Sequence, residues 1–279
     1  MSDRSMLQPE DYVEPACVLC GEPYGAEPEV KSVPQQRILE KLDDYMSRRD
    51  YAGAERHLLY WLEEARLGRD LRGQLLIRNE LVGHYRKTGD RDKALANGDE
   101  ALRLLDALDF TDNISAGTTY TNVATACNAF GENERSMALF EKARAVYEAS
   151  PRTSPDLLGG LYNNMALTCT ALGRYAEAYA LYDKAMDVMA TVPAGVLEQA
   201  ITCLNRADTL AAENGMEQAE DRIYALLDQA YDLLQDPAAP HDGYYAFVCE
   251  KCAPTFSYYG YFLAAQELQD VSKAIYERA

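Results

Sequence analysis

Apolar residues recur at helical spacing along most of the chain, and the spacing is clearest over residues 159–192. In the first half of that segment they fall at positions i, i+3, i+4 and i+7, which are Tyr162, Met165, Ala166 and Cys169. After the glycine at position 173 the same spacing resumes with Tyr175, Ala178, Tyr182 and Ala185. Two amphipathic helices this short cannot bury their apolar stripes alone. The segment therefore predicts a helix pair that packs against other pairs of its own kind.

Copies of this segment occur along the chain, and its turn glycine measures their period. Gly89, Gly131 and Gly173 are 42 residues apart, and helical apolar patterns flank each of them. Weaker copies precede the first of these three units and follow the last. The pattern thus predicts six units, near residues 35–68, 75–108, 117–150, 159–192, 200–233 and 246–279.

The unit resembles the tetratricopeptide repeat (TPR) in its spacing and residue sizes, and the resemblance extends over residues 35–279. The 42-residue period is similar to that of the kinesin-light-chain type of this repeat, which is longer than the usual one. The resemblance implies an all-α fold, a right-handed TPR superhelix (an α-α solenoid) of about six helix pairs. It also implies a concave groove, lined by the first helix of each pair, in which members of the family bind peptides.

Residues 1–34 lie outside the repeats and are interpreted as an extended, Pro-rich acidic arm. Five prolines interrupt any helix or central strand there, at Pro9, Pro15, Pro23, Pro28 and Pro34. The predicted solenoid then occupies residues 35–279. The composition of the arm also supports the hypothesis that it fills the groove as a tethered ligand.

Charge narrows the range of partners. The chain has 27 Lys and Arg residues against 45 Asp and Glu residues, which gives a formal charge of −18. Such a surface repels phosphate, so we expect no nucleic-acid partner and no anionic membrane partner. A basic or neutral protein segment stays open. Other members of the family hold C-terminal carboxylates with a basic clamp, and Arg86 and Lys87 are too few for one.

The cellular location of the protein and the redox state of its cysteines are predicted from two features that the sequence lacks, a membrane-spanning apolar run and a signal peptide. No apolar run approaches the roughly 20 residues that span a bilayer. The first residues have neither the basic start nor the apolar centre of a signal peptide. We therefore expect a cytoplasmic protein whose seven cysteines are thiols rather than a disulfide framework.

Side-chain amides recur at one position of the first helices. Asn122 and Asn164 stand nine residues before a turn glycine, Asn205 is their equivalent in the fifth unit, and Asn79 and Asn163 stand one residue earlier. This arrangement resembles the asparagine ladder of the kinesin-light-chain and O-GlcNAc-transferase repeats, which implies peptide binding through backbone hydrogen bonds. An amide can pair with both the N–H and the C=O of any extended peptide. The alternative is that these amides bond neighbouring helix backbones or face water.

Two Cys-x-x-Cys motifs are candidates for a structural zinc site. Cys17 and Cys20 in the arm, together with Cys249 and Cys252 in the last unit, would supply the four thiolates of a tetrahedral site. The alternative is that Cys249 and Cys252 fill core positions, since free cysteine is often a small buried hydrophobe. We therefore expect no cofactor other than this candidate zinc ion.

No catalytic motif is recognisable, so we expect a binding scaffold and not an enzyme. No nucleophile has a histidine nearby in sequence, and no glycine-rich phosphate loop occurs. The predicted function is to hold an extended protein segment in the groove. A zinc-stapled sensor, or an intracellular signalling-peptide receptor acting through protein contacts, is the alternative. A homo-oligomer is compatible with the sequence.

The last unit carries an aromatic-rich stretch, residues 244–262, with eight aromatics. Terminal repeats normally present a polar outer face. Two explanations stay open at this stage. Either another segment, subunit or ligand covers the stretch, or its tyrosine rings cap the core while their hydroxyls reach water.

Overall fold

A computed structural model describes residues 29–192, 195–237 and 239–278, and these residues form helices and connectors without any β-strand. The described part contains six helix pairs: α1 (Gln35–Ser47) and α2 (Tyr51–Leu67), α3 (Leu71–Thr88) and α4 (Arg91–Ala107), α5 (Ile114–Ala129) and α6 (Asn133–Ala149), α7 (Pro155–Ala171) and α8 (Tyr175–Met189), α9 (Val196–Asn214) and α10 (Met216–Leu234), α11 (Gly243–Tyr258) and α12 (Phe262–Tyr276). The predicted all-α solenoid of helix pairs is thereby confirmed.

Glycines in a left-handed conformation end the first helices of the central pairs. Gly89, Gly131 and Gly173 have φ angles of 79°, 80° and 71°. Only glycine adopts this conformation without a steric penalty, which is why it recurs at the turn. After Gly89 an aspartate begins the next helix: the Asp90 side chain accepts a hydrogen bond from the backbone N–H of Lys93 at 3.2 Å.

The repeat period reappears as a column of small buried residues. Ala101, Ala143 and Ala185 stand 42 residues apart on the second helices, and each is at most 1% exposed. Large side chains fill the space beside them, including Phe140 and Tyr182, both fully buried. Because each pair contributes the same shapes, neighbouring pairs pack by the same contacts, and the core continues from unit to unit.

The first helices form the inner layer of the array. Contacts join α3 to α5, α5 to α7, α7 to α9 and α9 to α11, whereas each second helix up to α8 contacts its own partner and the next first helix. An array of helix pairs that pack more closely on one side than on the other curves toward the closely packed side. The first helices therefore line its concave face. Every helix in the described ranges is too short or too polar to span a bilayer.

The last pair closes the array with both polar and aromatic side chains. Helix α12 buries Ala265 and Leu268 and exposes polar residues on the opposite side. In the aromatic-rich stretch, the Tyr259 hydroxyl donates to Asp208 at 2.8 Å and the Tyr261 hydroxyl donates to Asp228 at 2.7 Å. Tyrosine hydroxyls of this stretch thus reach carboxylates, although several of its rings remain exposed.

Curvature brings the two ends of the array together. The Arg49 Nη2 atom, in the turn of the first pair, lies 2.6 Å from the Glu250 Oε1 atom on α11. A cavity of about 1000 Å³ lies between the first and last pairs. Both side chains of the ion pair are about half exposed or more, so the pair contributes at most about 1 kcal/mol. An ion pair of this strength does not by itself hold the two ends in a fixed arrangement.

Candidate functional site: the concave face

Two ionisable side chains of the first helices are exposed and yet lose part of their solvation to the surrounding protein. The Arg86 side chain is exposed, yet burial by the surrounding protein lowers its pKa. Asp208 is also exposed, and burial raises its pKa against the opposing effect of the Tyr259 hydrogen bond. A side chain that reaches water and still loses solvation lies within a concavity. Both residues belong to first helices, which agrees with the layer assignment.

The asparagines of α3 and α5 bond to one another. The Asn79 Nδ2 atom donates to the Leu75 carbonyl at 3.1 Å and to the Thr119 hydroxyl at 2.9 Å. The Asn122 Nδ2 atom in turn donates to Asn79 Oδ1 at 3.4 Å. Both amide hydrogens of Asn79 are therefore engaged, and this side chain joins the two helices.

A second couple joins α7 to α9. The Asn205 Nδ2 atom donates to Asn163 Oδ1 at 3.0 Å, and Asn163 is only 5% exposed. The hydroxyls of Thr170 and Thr209 lie 2.8 Å apart across the same two helices. These polar groups hold neighbouring first helices in register.

Between α5 and α7 the chain of amides is interrupted. The contact between these two helices is less extensive than that between α3 and α5 or between α7 and α9. The Asn164 side chain is half-buried and, within the described residues, makes no hydrogen bond. The Asn122 oxygen likewise accepts none there. One complete amide and one amide oxygen therefore remain available at the middle of the concave face.

The sequence predicts one ladder of five asparagines. In the described part of the structure, four of them bond between helices and Asn164 makes no side-chain hydrogen bond. Asn79, Asn122, Asn163 and Asn205 each take part in a hydrogen bond between neighbouring first helices. Asn122 and Asn205 each donate one hydrogen bond and keep an oxygen that accepts none within the described residues. Peptide binding stays a prediction for all five, and the interruption between α5 and α7 favours Asn122 and Asn164, which lie on those two helices.

The candidate zinc ligands are only partly within the described residues. Cys17 and Cys20 lie outside them. Cys249 and Cys252 are at most 2% exposed and belong to the apolar core of the last two pairs. Burial raises the pKa of Cys252 to about 12 and also raises that of Cys249. Zinc binds thiolates, so this environment opposes metal binding.

No group of three or more metal-binding side chains occurs in the described ranges. The four-cysteine site stays a prediction, because half of it lies elsewhere in the chain. The histidines are occupied in packing. His241 stacks on Tyr245 with ring centroids 4.4 Å apart, and the buried His84 ring, whose pKa is lowered by burial, packs against Tyr85.

The sequence did not predict a group of cationic side chains that lies between the first and last pairs. Lys87 and Lys251 line the cavity between the first and last pairs, together with Arg49 and Lys273. These residues come from three helices and one turn that are far apart in sequence, so no local sequence pattern predicts that they lie together. Glu250 and Glu277 line the same cavity and partly balance the charge.

Comparison with known proteins agrees with this architecture. Residues 73–149 match the family model of the tetratricopeptide repeat. No curated protein matches the chain. Two solved structures are similar: a candidate kinesin light chain of Podosopora anserina with nearly identical TPR-like repeats (18% identity, 71% of this chain and 92% of that one, TM-score 0.47), and BtubC (BKLC) from P. vanneervenii (17% identity, 88% and 91%, TM-score 0.48). The family match covers α3 to α6, and the helix pairs before and after them have the same arrangement of two helices joined by a short turn.

Proposed function

We propose that this protein is a scaffold that holds an extended segment of a partner protein against the concave face, across α5 and α7. The observation that carries the proposal is the free hydrogen-bonding capacity of Asn122 and Asn164 at the interruption of the amide chain. Within the described residues Asn164 makes no side-chain hydrogen bond, whereas the other four asparagines each take part in a bond to a neighbouring first helix.

The chemistry of these groups suits an extended backbone. The Asn164 amide offers a donor and an acceptor, and the Asn122 oxygen offers a second acceptor. A peptide backbone presents N–H and C=O groups at regular intervals whatever its side chains are. The two asparagines would therefore supply affinity, while neighbouring side chains of the concave face supply the preference for particular sequences.

We expect the double substitution Asn122→Ala/Asn164→Ala to weaken peptide binding about tenfold or more, since each lost hydrogen bond costs about 1 kcal/mol. Peptides selected from a displayed random library with the full chain serve as ligands. Dissociation constants are measured by fluorescence anisotropy.

The control is Asn97→Ala/Asn214→Ala, which removes two asparagines from outside the interruption between α5 and α7. Asn97 lies on α4, a second helix, where it accepts a hydrogen bond from Arg78 on α3, and Asn214 stands at the end of α9. Equal affinities for wild type, variant and control would contradict the proposal.

A further inference from the structure

Large apolar side chains are exposed along one edge of the last two pairs. They lie at the start of α10, on α10, at the end of α11 and at the start of α12. The exposed fractions are 45% for Met216, 40% for Tyr224, 72% for Tyr258, 68% for Phe262 and 89% for Leu263. We call these five residues the edge patch.

The edge patch is not a requirement of the fold, because the second and third pairs have polar residues at the same place. Helix α12 begins with Phe262 and Leu263, whereas α4 begins with Arg91-Asp92 and α6 begins with Asn133-Glu134. All these helices follow an equivalent turn. Exposed apolar residues that the architecture does not need mark an interaction surface.

A contact between aromatic rings joins α10 of the fifth pair to the turn of the sixth pair. The Tyr224 ring lies 5.9 Å from the Tyr261 ring, and the Tyr258 ring lies 5.0 Å from the Tyr259 ring. Tyr259 also lines a small cavity of about 110 Å³ with Met216 and Tyr224. The fifth and sixth pairs therefore present a single apolar edge with a shallow depression in it.

Two carboxylates border that depression without a partner. Glu217 and Glu220 line the same cavity, and within the described residues neither makes an ion pair or a hydrogen bond. A cation brought beside these groups by a docking partner would gain two charge-assisted hydrogen bonds.

Charge distinguishes three candidate occupants of the edge patch: a second copy of the chain, residues 1–28, and a basic partner protein. In a symmetric dimer the same surface meets itself, so Glu217 and Glu220 of one copy would approach those of the other. The segment outside the described residues, 1–28, contains six acidic residues and one basic residue, so it is repelled as well. A basic partner is attracted both by this site and by the overall charge of −18.

We propose that the edge patch docks an amphipathic helix of a partner protein, with apolar side chains on Phe262, Leu263 and Tyr258 and a Lys or Arg beside Glu217 and Glu220. This surface lies on the fifth and sixth pairs, whereas Asn122 and Asn164 lie on α5 and α7 of the third and fourth pairs. The proposal therefore stands independently of the groove, and a scaffold with both sites would bring two partners together.

The test uses an amphipathic helical peptide of leucine and lysine, about four turns long. Phe262→Ser/Leu263→Ser and Glu217→Gln/Glu220→Gln are each expected to weaken its binding to the full chain about tenfold. Leu59→Ser/Tyr60→Ser, which removes an exposed apolar pair of α2, is the matched control and leaves the affinity within about twofold. Circular dichroism establishes that each variant is folded.

Three results would overturn the proposal: unchanged affinity in both edge-patch variants, an equal loss in the α2 control, or equally tight binding of a leucine–glutamate peptide. Sedimentation velocity decides the remaining occupant. If the chain forms a dimer that Phe262→Ser/Leu263→Ser dissociates, the patch binds a second copy and the proposal is wrong. Asn122→Ala/Asn164→Ala is expected to leave binding of this peptide unchanged, which separates failure of the edge patch from failure of the groove.

Discussion

Replacing Phe140 with alanine is expected to lower the free energy of unfolding by about 3 to 5 kcal/mol, the usual cost of emptying a buried phenylalanine site. Phe140 is fully buried in the largest apolar cluster, which extends from α3 to α8. It stands in the third of six pairs. Because each pair is stabilised mainly by its neighbours, a cavity there also weakens the coupling between the two halves of the array.

Phe262→Ala is the matched control, since it removes the same atoms from a side chain that is 68% exposed. We expect it to change stability by no more than about 0.5 kcal/mol. Urea unfolding followed by circular dichroism measures both variants. Equal losses of stability would mean that Phe140 is not part of a packed core, contrary to the fold described above.

Alkaline pH is expected to destabilise the protein strongly between pH 10 and 12. The Tyr85 hydroxyl donates to Glu55 at 2.8 Å, and the Tyr162 hydroxyl donates to Glu148 at 2.9 Å. Burial, and next the bonded carboxylate, raises the pKa of each tyrosine from 10.0 to about 12. Both hydroxyls thus stay protonated in the folded protein at a pH where the unfolded chain releases the protons.

The sign of the effect follows from proton binding. Above pH 10 the unfolded state binds fewer protons than the folded state, so stability falls as pH rises. The stabilisation is complete below pH 10 and is lost by about pH 12. A pKa difference of about two units corresponds to roughly 3 kcal/mol for each tyrosine, so a loss of several kcal/mol is expected for the pair.

The double variant Tyr85→Phe/Tyr162→Phe is expected to show a smaller loss of stability between pH 9 and pH 12 than the wild type. Tyr60→Phe is the control, because Tyr60 is 58% exposed. Urea unfolding at several pH values gives the slopes. If the double variant and the wild type have the same slope, these buried tyrosines do not control the alkaline transition.

Local pattern was sufficient to predict the helix pairs. The period of 42 residues fixed the turns at Gly89, Gly131 and Gly173, and those glycines have the left-handed φ angles that such turns require. Apolar spacing likewise identified Ala178 and Tyr182 as core residues, and both are fully buried. These features depend on residues close together in sequence, so composition and spacing determine them.

The arrangement of the concave face depends on geometry that spacing does not contain. Whether Asn79 reaches Thr119 is decided by the rotation of α3 and α5 about their axes. The contact between Arg49 and Glu250 joins residues 201 positions apart and sums small angles over all six pairs. No local pattern specifies those angles, and for this reason the divided asparagines and the approach of the two ends were not predicted.

The aromatic-rich stretch gives a more mixed result. The sequence left two explanations open, and the structure shows features of both. Tyr259 and Tyr261 direct their hydroxyls to carboxylates, whereas Phe262 and Leu263 stay exposed on the edge. Which rings face the core was beyond prediction, because the turn at Gly260 reverses the chain in the middle of the stretch.

The central claim, that an extended segment lies on the concave face across α5 and α7, is tested most directly by hydrogen–deuterium exchange. The full chain is compared with and without a saturating amount of a library-selected peptide. We expect slower exchange in residues 114–129 and 155–171, with little change in α6 and α8. Protection confined to α6 and α8, or to the edge around Gly215 and Gly260, would contradict the account.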